Sequence, residues 1–132
     1  MRRALVYGFA LWAIGTVGLR LAGGRLLLPH QPARTISLYA ASFALMAWVI
    51  PRICLGLRLE RGLWFQAAAL LMLPTFLLDP FSAAFFPSVF PNIDAGAAGV
   101  FGGWLLMCCA GIVAGVWIAT TRDLRADAPA AK

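Results

Sequence analysis

Hydrophobic residues occur along the chain in four long runs, separated by short polar or proline-rich segments. The runs cover about residues 4–24, 35–50, 62–78 and 97–121. A soluble core would show periodic apolar stripes, whereas unbroken runs of this length are typical of helices that cross a membrane. The pattern therefore predicts an all-α fold, an integral membrane four-helix bundle in a single domain over residues 1–121. A short cytoplasmic tail, residues 122–132, follows it.

The composition supports this interpretation. Of the 132 residues, 62% are hydrophobic and 12% are charged, and the mean hydropathy is +0.85. Soluble domains are about 45–50% apolar and about 25% charged, so this chain has too few charges to cover a soluble surface. We therefore expect a multi-pass membrane protein whose first partner is the lipid bilayer.

The basic residues stand at the edges of the apolar runs and predict the orientation. With the N-terminus inside, eight of them lie on the cytoplasmic side and three on the outer side. This bias predicts that both termini are cytoplasmic. The net charge of +6 does not indicate nucleic-acid binding, because the bases are not gathered on one amphipathic face.

A proline- and phenylalanine-rich segment, residues 79–92, joins the third run to the fourth. It contains four phenylalanines and three prolines but few polar side chains. Four phenylalanines would not stay exposed to water, and prolines at this density break a continuous helix. We predict that this connector lies in the membrane interface or re-enters the outer leaflet.

Two charges, Arg20 and Asp79, are expected at the outer ends of the first and third helices. An unpaired charge there is unfavourable, so the sequence predicts that they pair or share a polar cluster with Ser82 and Asn92. Such a cluster has three interpretations. It is an ion pair that orients two helices, two side chains that reach water independently, or a binding site for an ion, a lipid headgroup or a small polar substrate.

The fourth run contains two glycine pairs at the spacing that favours close helix packing. They are Gly99 with Gly103, and Gly111 with Gly115. Because twelve residues separate the pairs, both fall on roughly the same side of the helix. This face is expected to pack inside the bundle or between subunits, so a homodimer or another membrane protein is a further candidate partner.

Catalytic chemistry has few candidates in this sequence. Asp79 is the one carboxylate in apolar surroundings, and no acid, base or histidine is expected at the centre of any run. The chain has no nucleophile motif or phosphate-binding loop, and its cysteines and single histidine match no metal site. We therefore predict no catalytic residues, no metal, no cofactor and no enzymatic activity, and the missing central charge argues against proton-driven export.

Several short motifs resemble a family of small bacterial four-helix membrane proteins of unknown function. The resemblance rests on Asp79-Pro80-Phe81-Ser82, Phe90-Pro91-Asn92 and Phe101-Gly102-Gly103-Trp104-Leu105. It implies a protein of the bacterial inner (plasma) membrane and carries no activity or substrate.

Two functions remain open at this point. The first is a non-enzymatic interaction or accessory protein, for which the connector is a rigid platform. The second is a small channel or facilitator for an ion or small polar solute. A channel requires a continuous polar path from Asp79 inward past Thr75 and Gln66, whereas a platform requires these groups to be bonded internally and the bundle core to be dry.

Overall fold

The computed structural model describes the backbone of residues 2–126 and the side chains of residues 2–122. Five α-helices occur in this part of the chain: α1 (Arg2–Leu26), α2 (Pro32–Gly56), α3 (Trp64–Ala84), α4 (Phe86–Val89) and α5 (Ala98–Ala126). Turns of 3₁₀ helix, Arg61–Leu63 and Ala95–Ala97, lead into α3 and α5. Most of the predicted tail, residues 127–132, lies outside the described residues.

Four of these elements are long and apolar enough to cross a membrane. Their mean hydropathy over 18 residues ranges from 1.5 to 2.0, and none contains more than two charged residues in that window. The prediction of an all-α protein with four membrane-crossing helices is therefore confirmed. Each helix continues beyond the run that predicted it at one end or both.

Three prolines lie inside the long helices and do not end them. The second apolar run stops before Pro51, but α2 continues through this proline to Gly56. The chain leaves α2 at Arg58, whose φ of 52° is left-handed. Pro74 and Pro80 both lie inside α3, as prolines can in a membrane-crossing helix when the carbonyl groups they free find other partners. The carbonyl of Leu70, which Pro74 frees, lies against Gly8 of α1.

The four long helices pack as two pairs. Helix α1 packs along α3, helix α2 packs along α5, and a contact between α3 and α5 joins the pairs. Both pairs are parallel, since positions early in one helix contact positions early in its partner. Helix α1 does not pack closely along α5, so a seam remains between these two helices.

Two apolar clusters fill the bundle at different heights. The first, near the predicted cytoplasmic end, consists of Ala4, Ile50, Cys54, Trp64, Ala67, Ala68, Leu71, Met72, Ile112 and Val116. The second, near the other end, consists of Leu19, Leu27, Phe86, Phe90, Ile93, Ala97 and Phe101.

The connector rich in proline and phenylalanine divides into a helical and an irregular part. Its first residues continue α3 as far as Ala84, and the short helix α4 follows. Phe86 and Phe90 are buried against Phe101, with ring centroids 5.3–5.5 Å apart. Phe81 and Phe85 are exposed. The connector is thus anchored on one side by an aromatic cluster and presents its other side outward.

Candidate functional site

A cavity of about 90 Å³ lies between the two apolar clusters. Its walls come mainly from α1, α3 and α5, and Met46 of α2 contributes one further side chain. A single water molecule requires about 10–15 Å³ of such space. The cavity therefore has room for several waters or for a small molecule.

Asp79 lies on the wall of this cavity and is 6% exposed. The indole Nε1 of Trp12 donates a hydrogen bond to its Oδ1 at 2.9 Å. A carboxylate can accept about four hydrogen bonds, and no other donor to Asp79 occurs among residues 2–122. Most of its accepting capacity is therefore available to a molecule in the cavity.

The register of α1 on α3 gives the depth of Asp79. A Cβ added to Gly8 would lie 2.7 Å from the carbonyl oxygen of Leu71, so these two positions are level. Eight residues further along both helices, Asp79 is level with Thr16. The midpoint of α1 is Ile14. Thr16 is two residues further along, so Asp79 lies about 3 Å beyond that midpoint along the helix axis.

This depth corrects the position that the sequence predicts for Asp79. It was expected at the outer end of the third helix, but α3 continues through Pro80 to Ala84. The carboxylate therefore lies deeper in the bundle than expected, level with the middle part of α1, although it belongs to the last third of α3. The error arose because Pro80 was interpreted as the end of the helix.

Arg20 and Asp79 are not brought together. Arg20 is exposed, and no ion pair joins it to Asp79 within the described part of the chain. The position that Arg20 was expected to occupy beside the carboxylate is taken by the indole of Trp12. Arg20 stands one turn further out than Thr16 on α1, beyond the cavity, and its side chain is exposed.

Ser82 and Asn92 are bonded elsewhere and do not form the expected cluster. The Ser82 hydroxyl donates to the carbonyl of Leu78, one turn earlier in the same helix, at 3.3 Å. The Asn92 Nδ2 donates to the carbonyl of Leu19 at 3.1 Å. Asn92 therefore ties the connector to the outer half of α1, while Ser82 has a partner in its own helix.

A model of a family of unknown function, DUF5367, matches residues 26–123 of this chain. That range covers 98 of the 132 residues. The chain belongs to DUF5367. The resemblance seen in the sequence, to membrane proteins of unknown function, is thereby confirmed. Comparison with curated proteins and with solved structures gives no match.

The glycine pairs of this DUF5367 protein are used mainly inside the bundle. A Cβ at Gly111 or Gly115 would collide with the backbone of α2 at Phe43 or Ala47, and one at Gly103 would collide with Tyr39. Gly99 has open space around it. Three of the four predicted packing glycines therefore allow α5 to approach α2.

Sequence reasoning missed the aromatic side chains of this DUF5367 site. Besides Trp12, the indole of Trp104 lines the cavity and donates to the Ser42 hydroxyl at 2.7 Å. A signal was available, because a tryptophan in the middle of a span is outside the usual interfacial belt and its buried N–H needs an acceptor. Asp79 and Ser42 were suitable acceptors on neighbouring helices.

The remaining polar groups on the cavity wall are few. They are the hydroxyls of Thr16 and Thr75 and the thiols of Cys108 and Cys109. Gln66 is exposed on the outside of the bundle and does not line the cavity. The described residues contain no group of three or more metal-ligating side chains.

Proposed function

We propose that this protein is a small membrane facilitator, without enzymatic activity, that binds a small cation in the cavity between α1, α3 and α5. The observation that carries the proposal is the buried carboxylate of Asp79, which lines the cavity at the level of the middle part of α1. In keeping with the sequence, we propose the bacterial inner membrane as its location, with both termini cytoplasmic.

The charge of the cavity favours a cation. Asp79 is the one ionisable carboxylate among the cavity's lining residues, and none of those residues is Arg, Lys or His. An uncompensated carboxylate is unfavourable within a membrane, so a bound cation would offset that penalty. The rings of Trp12 and Trp104 also line the cavity, and aromatic faces attract cations.

The shape of the cavity favours a carrier over an open pore. Towards the cytoplasmic end it is closed by Leu71, Met72 and Ile112, which belong to the first apolar cluster. The polar path that a pore would need does not continue, because Gln66 lies outside. A solute would cross only if the helices moved, and α1 and α5 both line the cavity without packing closely along each other.

An interaction protein remains the second candidate, supported by a different observation. Asn92 and Ser82 are bonded internally, as a rigid platform requires, and Phe81 and Phe85 of the connector are exposed. For this function the connector would present these rings to another membrane protein or to a second copy of the chain.

Binding of ammonium, methylammonium and tetramethylammonium to the purified protein tests the proposal. Tryptophan fluorescence and the melting temperature in detergent serve as readouts, and neutral alcohols of matched size are the controls. We expect the cations to affect the wild type and to lose their effect in Asp79→Asn.

Filling the cavity provides an independent arm of the test. Gly15 lines the cavity and has no neighbour within 4 Å of an added Cβ, and Gly18 has equally open surroundings but does not line the cavity. Gly15→Leu should therefore abolish the cation response while Gly18→Leu retains it. An equal response of all variants, or an equal response to the alcohols, would contradict the proposal.

A further inference from the structure

Arg52 lies between two surface grooves at the end of α2. One groove, of about 310 Å³, runs between α2 and α5 and is also lined by Arg122. The other, of about 290 Å³, runs along the opposite side of α2 and reaches Tyr7 of α1. Trp48 and Arg52 line both grooves, so two grooves diverge from one guanidinium group.

The Arg52 side chain is held in place by the helix that carries it. Its guanidinium carbon lies 3.7 Å from the ring centroid of Trp48, and Nη1 donates to the Trp48 carbonyl at 3.0 Å. A guanidinium has five N–H donors in a fixed fork. Four of them remain for an external acceptor, and stacking on the indole limits how far the group can move.

Arg122 supplies a second positive charge to the groove between α2 and α5. No protein hydrogen bond or ion pair of Arg122 occurs within the described residues. No residue that lines either groove is acidic in the part of the chain that the structure describes. Arg52 and Arg122 make the edge of the groove positive, and no counter-charge to them occurs among the side chains of residues 2–122. A positive edge of this kind matches an anion.

Apart from the basic residues Arg52 and Arg122, which form the rim, the walls of both grooves are mainly apolar. In the first groove they are Ala47, Pro51, Gly115, Ile118 and Ala119, and in the second they include Val49, Ile53 and Leu57. Each groove therefore combines a basic rim with an apolar channel. A phospholipid has the complementary form, with one phosphate at the head and two hydrocarbon chains.

We propose that Arg52 and Arg122 bind the phosphate of an anionic phospholipid, and that its two acyl chains lie in the two grooves on either side of Trp48. Basic pockets between membrane helices are known to hold the headgroups of anionic lipids. Arginine binds phosphate through paired, charge-assisted hydrogen bonds. This site is separate from the cavity that contains Asp79 and does not depend on the function proposed for it.

The test is a titration of delipidated protein in detergent with phosphatidylglycerol and, separately, with phosphatidylethanolamine of the same chain length. Bound lipid is counted by native mass spectrometry, and the melting temperature is followed in parallel. The variants are Arg52→Gln, Arg122→Gln and the double variant. Arg34→Gln is the matched control, because it removes an exposed positive charge at the other end of α2.

We expect phosphatidylglycerol to bind the wild type more tightly than phosphatidylethanolamine. Arg52→Gln and Arg122→Gln should each weaken the binding of phosphatidylglycerol roughly five- to tenfold. Arg34→Gln should retain the preference. Arg52→Lys should retain part of it, since the charge remains while the fork and its stacking are lost. The side chain of Arg52 is exposed, so these variants are expected to fold.

Other results would overturn the proposal. Equal binding of the two lipids would mean that the charges do not select the headgroup, and equal loss in Arg34→Gln would indicate a general charge effect. If inorganic phosphate or glycerophosphoglycerol stabilises the protein as well as the intact lipid, the grooves hold no acyl chains. Formation of a dimer that phosphatidylglycerol dissociates would assign the grooves to a second copy.

Discussion

The indole nitrogen of Trp12 and the carboxylate of Asp79 lie 2.9 Å apart and join α1 to α3 through a hydrogen bond. The two residues are 67 positions apart in the sequence and meet near the middle of the membrane-crossing region. The bond engages Oδ1 of the carboxylate and leaves Oδ2 without a donor among the described residues. Asp79 is therefore both a structural contact between two helices and a candidate group for binding a molecule in the cavity.

We expect Trp12→Phe to reduce the free energy of unfolding by about 1–3 kcal/mol, because the buried carboxylate loses its donor. Asp79→Asn should have a smaller effect, since an amide oxygen still accepts the indole bond and the buried charge is removed. Thermal unfolding in detergent measures both. Arg20→Ala is the control and should change stability by less than about 0.5 kcal/mol. A larger loss of stability in Arg20→Ala would indicate that Arg20 does pair with Asp79.

Gly115→Ala should destabilise the protein by about 1–3 kcal/mol, because the added Cβ would meet the backbone of Ala47 and force α5 away from α2. Gly99→Ala makes the same chemical change in open space and should be neutral, or stabilising by up to about 1 kcal/mol. The melting temperatures of Gly115→Ala and Gly99→Ala, each compared with the wild type, test this difference. Equal melting temperatures would mean that α5 does not approach α2 as closely as described.

Phe90→Ala should destabilise the protein by about 3–5 kcal/mol, since it removes a buried ring from the cluster with Phe86 and Phe101. Phe85→Ala, whose ring is 62% exposed, should cost less than about 1 kcal/mol. The comparison is made by thermal unfolding in the same detergent. A similar loss from both variants would show that the connector buries both rings in the detergent micelle.

Asn92→Ala should loosen the connector, because it removes the hydrogen bond to the Leu19 carbonyl, a bond worth about 0.5–1.5 kcal/mol. Hydrogen exchange of the backbone amides in residues 90–97 should become faster. Ser82→Ala is the matched control, since the Ser82 hydroxyl bonds to a carbonyl of its own helix. If exchange in this segment is unchanged in Asn92→Ala, another contact holds the connector to α1.

The helices could be predicted from the sequence because the length of an apolar run indicates a membrane-crossing helix directly. Their pairing could not, since the residues that face lipid and those that face other helices are equally apolar. Leu71, which is buried, and Leu77, which is exposed, look alike in the sequence.

The candidate site was predicted only in part for a related reason. Asp79 stood out as a charge in apolar surroundings, but its depth depends on whether the helix continues through Pro80. That is decided by neighbouring helices and not by the proline itself. Trp12 became a partner of Asp79 only through the register set by the close approach of α1 to α3 at Gly8.

The parallel pairing of the helices has a consequence for how the chain enters the membrane during synthesis. Helix α1 must wait for α3, and helix α2 must wait for α5, because the intervening span has to be inserted before a parallel partner is available. The surface of α2 that receives Gly111 and Gly115 therefore stays exposed to lipid until α5 has been synthesised. A chain that stops before α5 would leave α2 without its main partner, so the bundle cannot assemble before α5 enters the membrane.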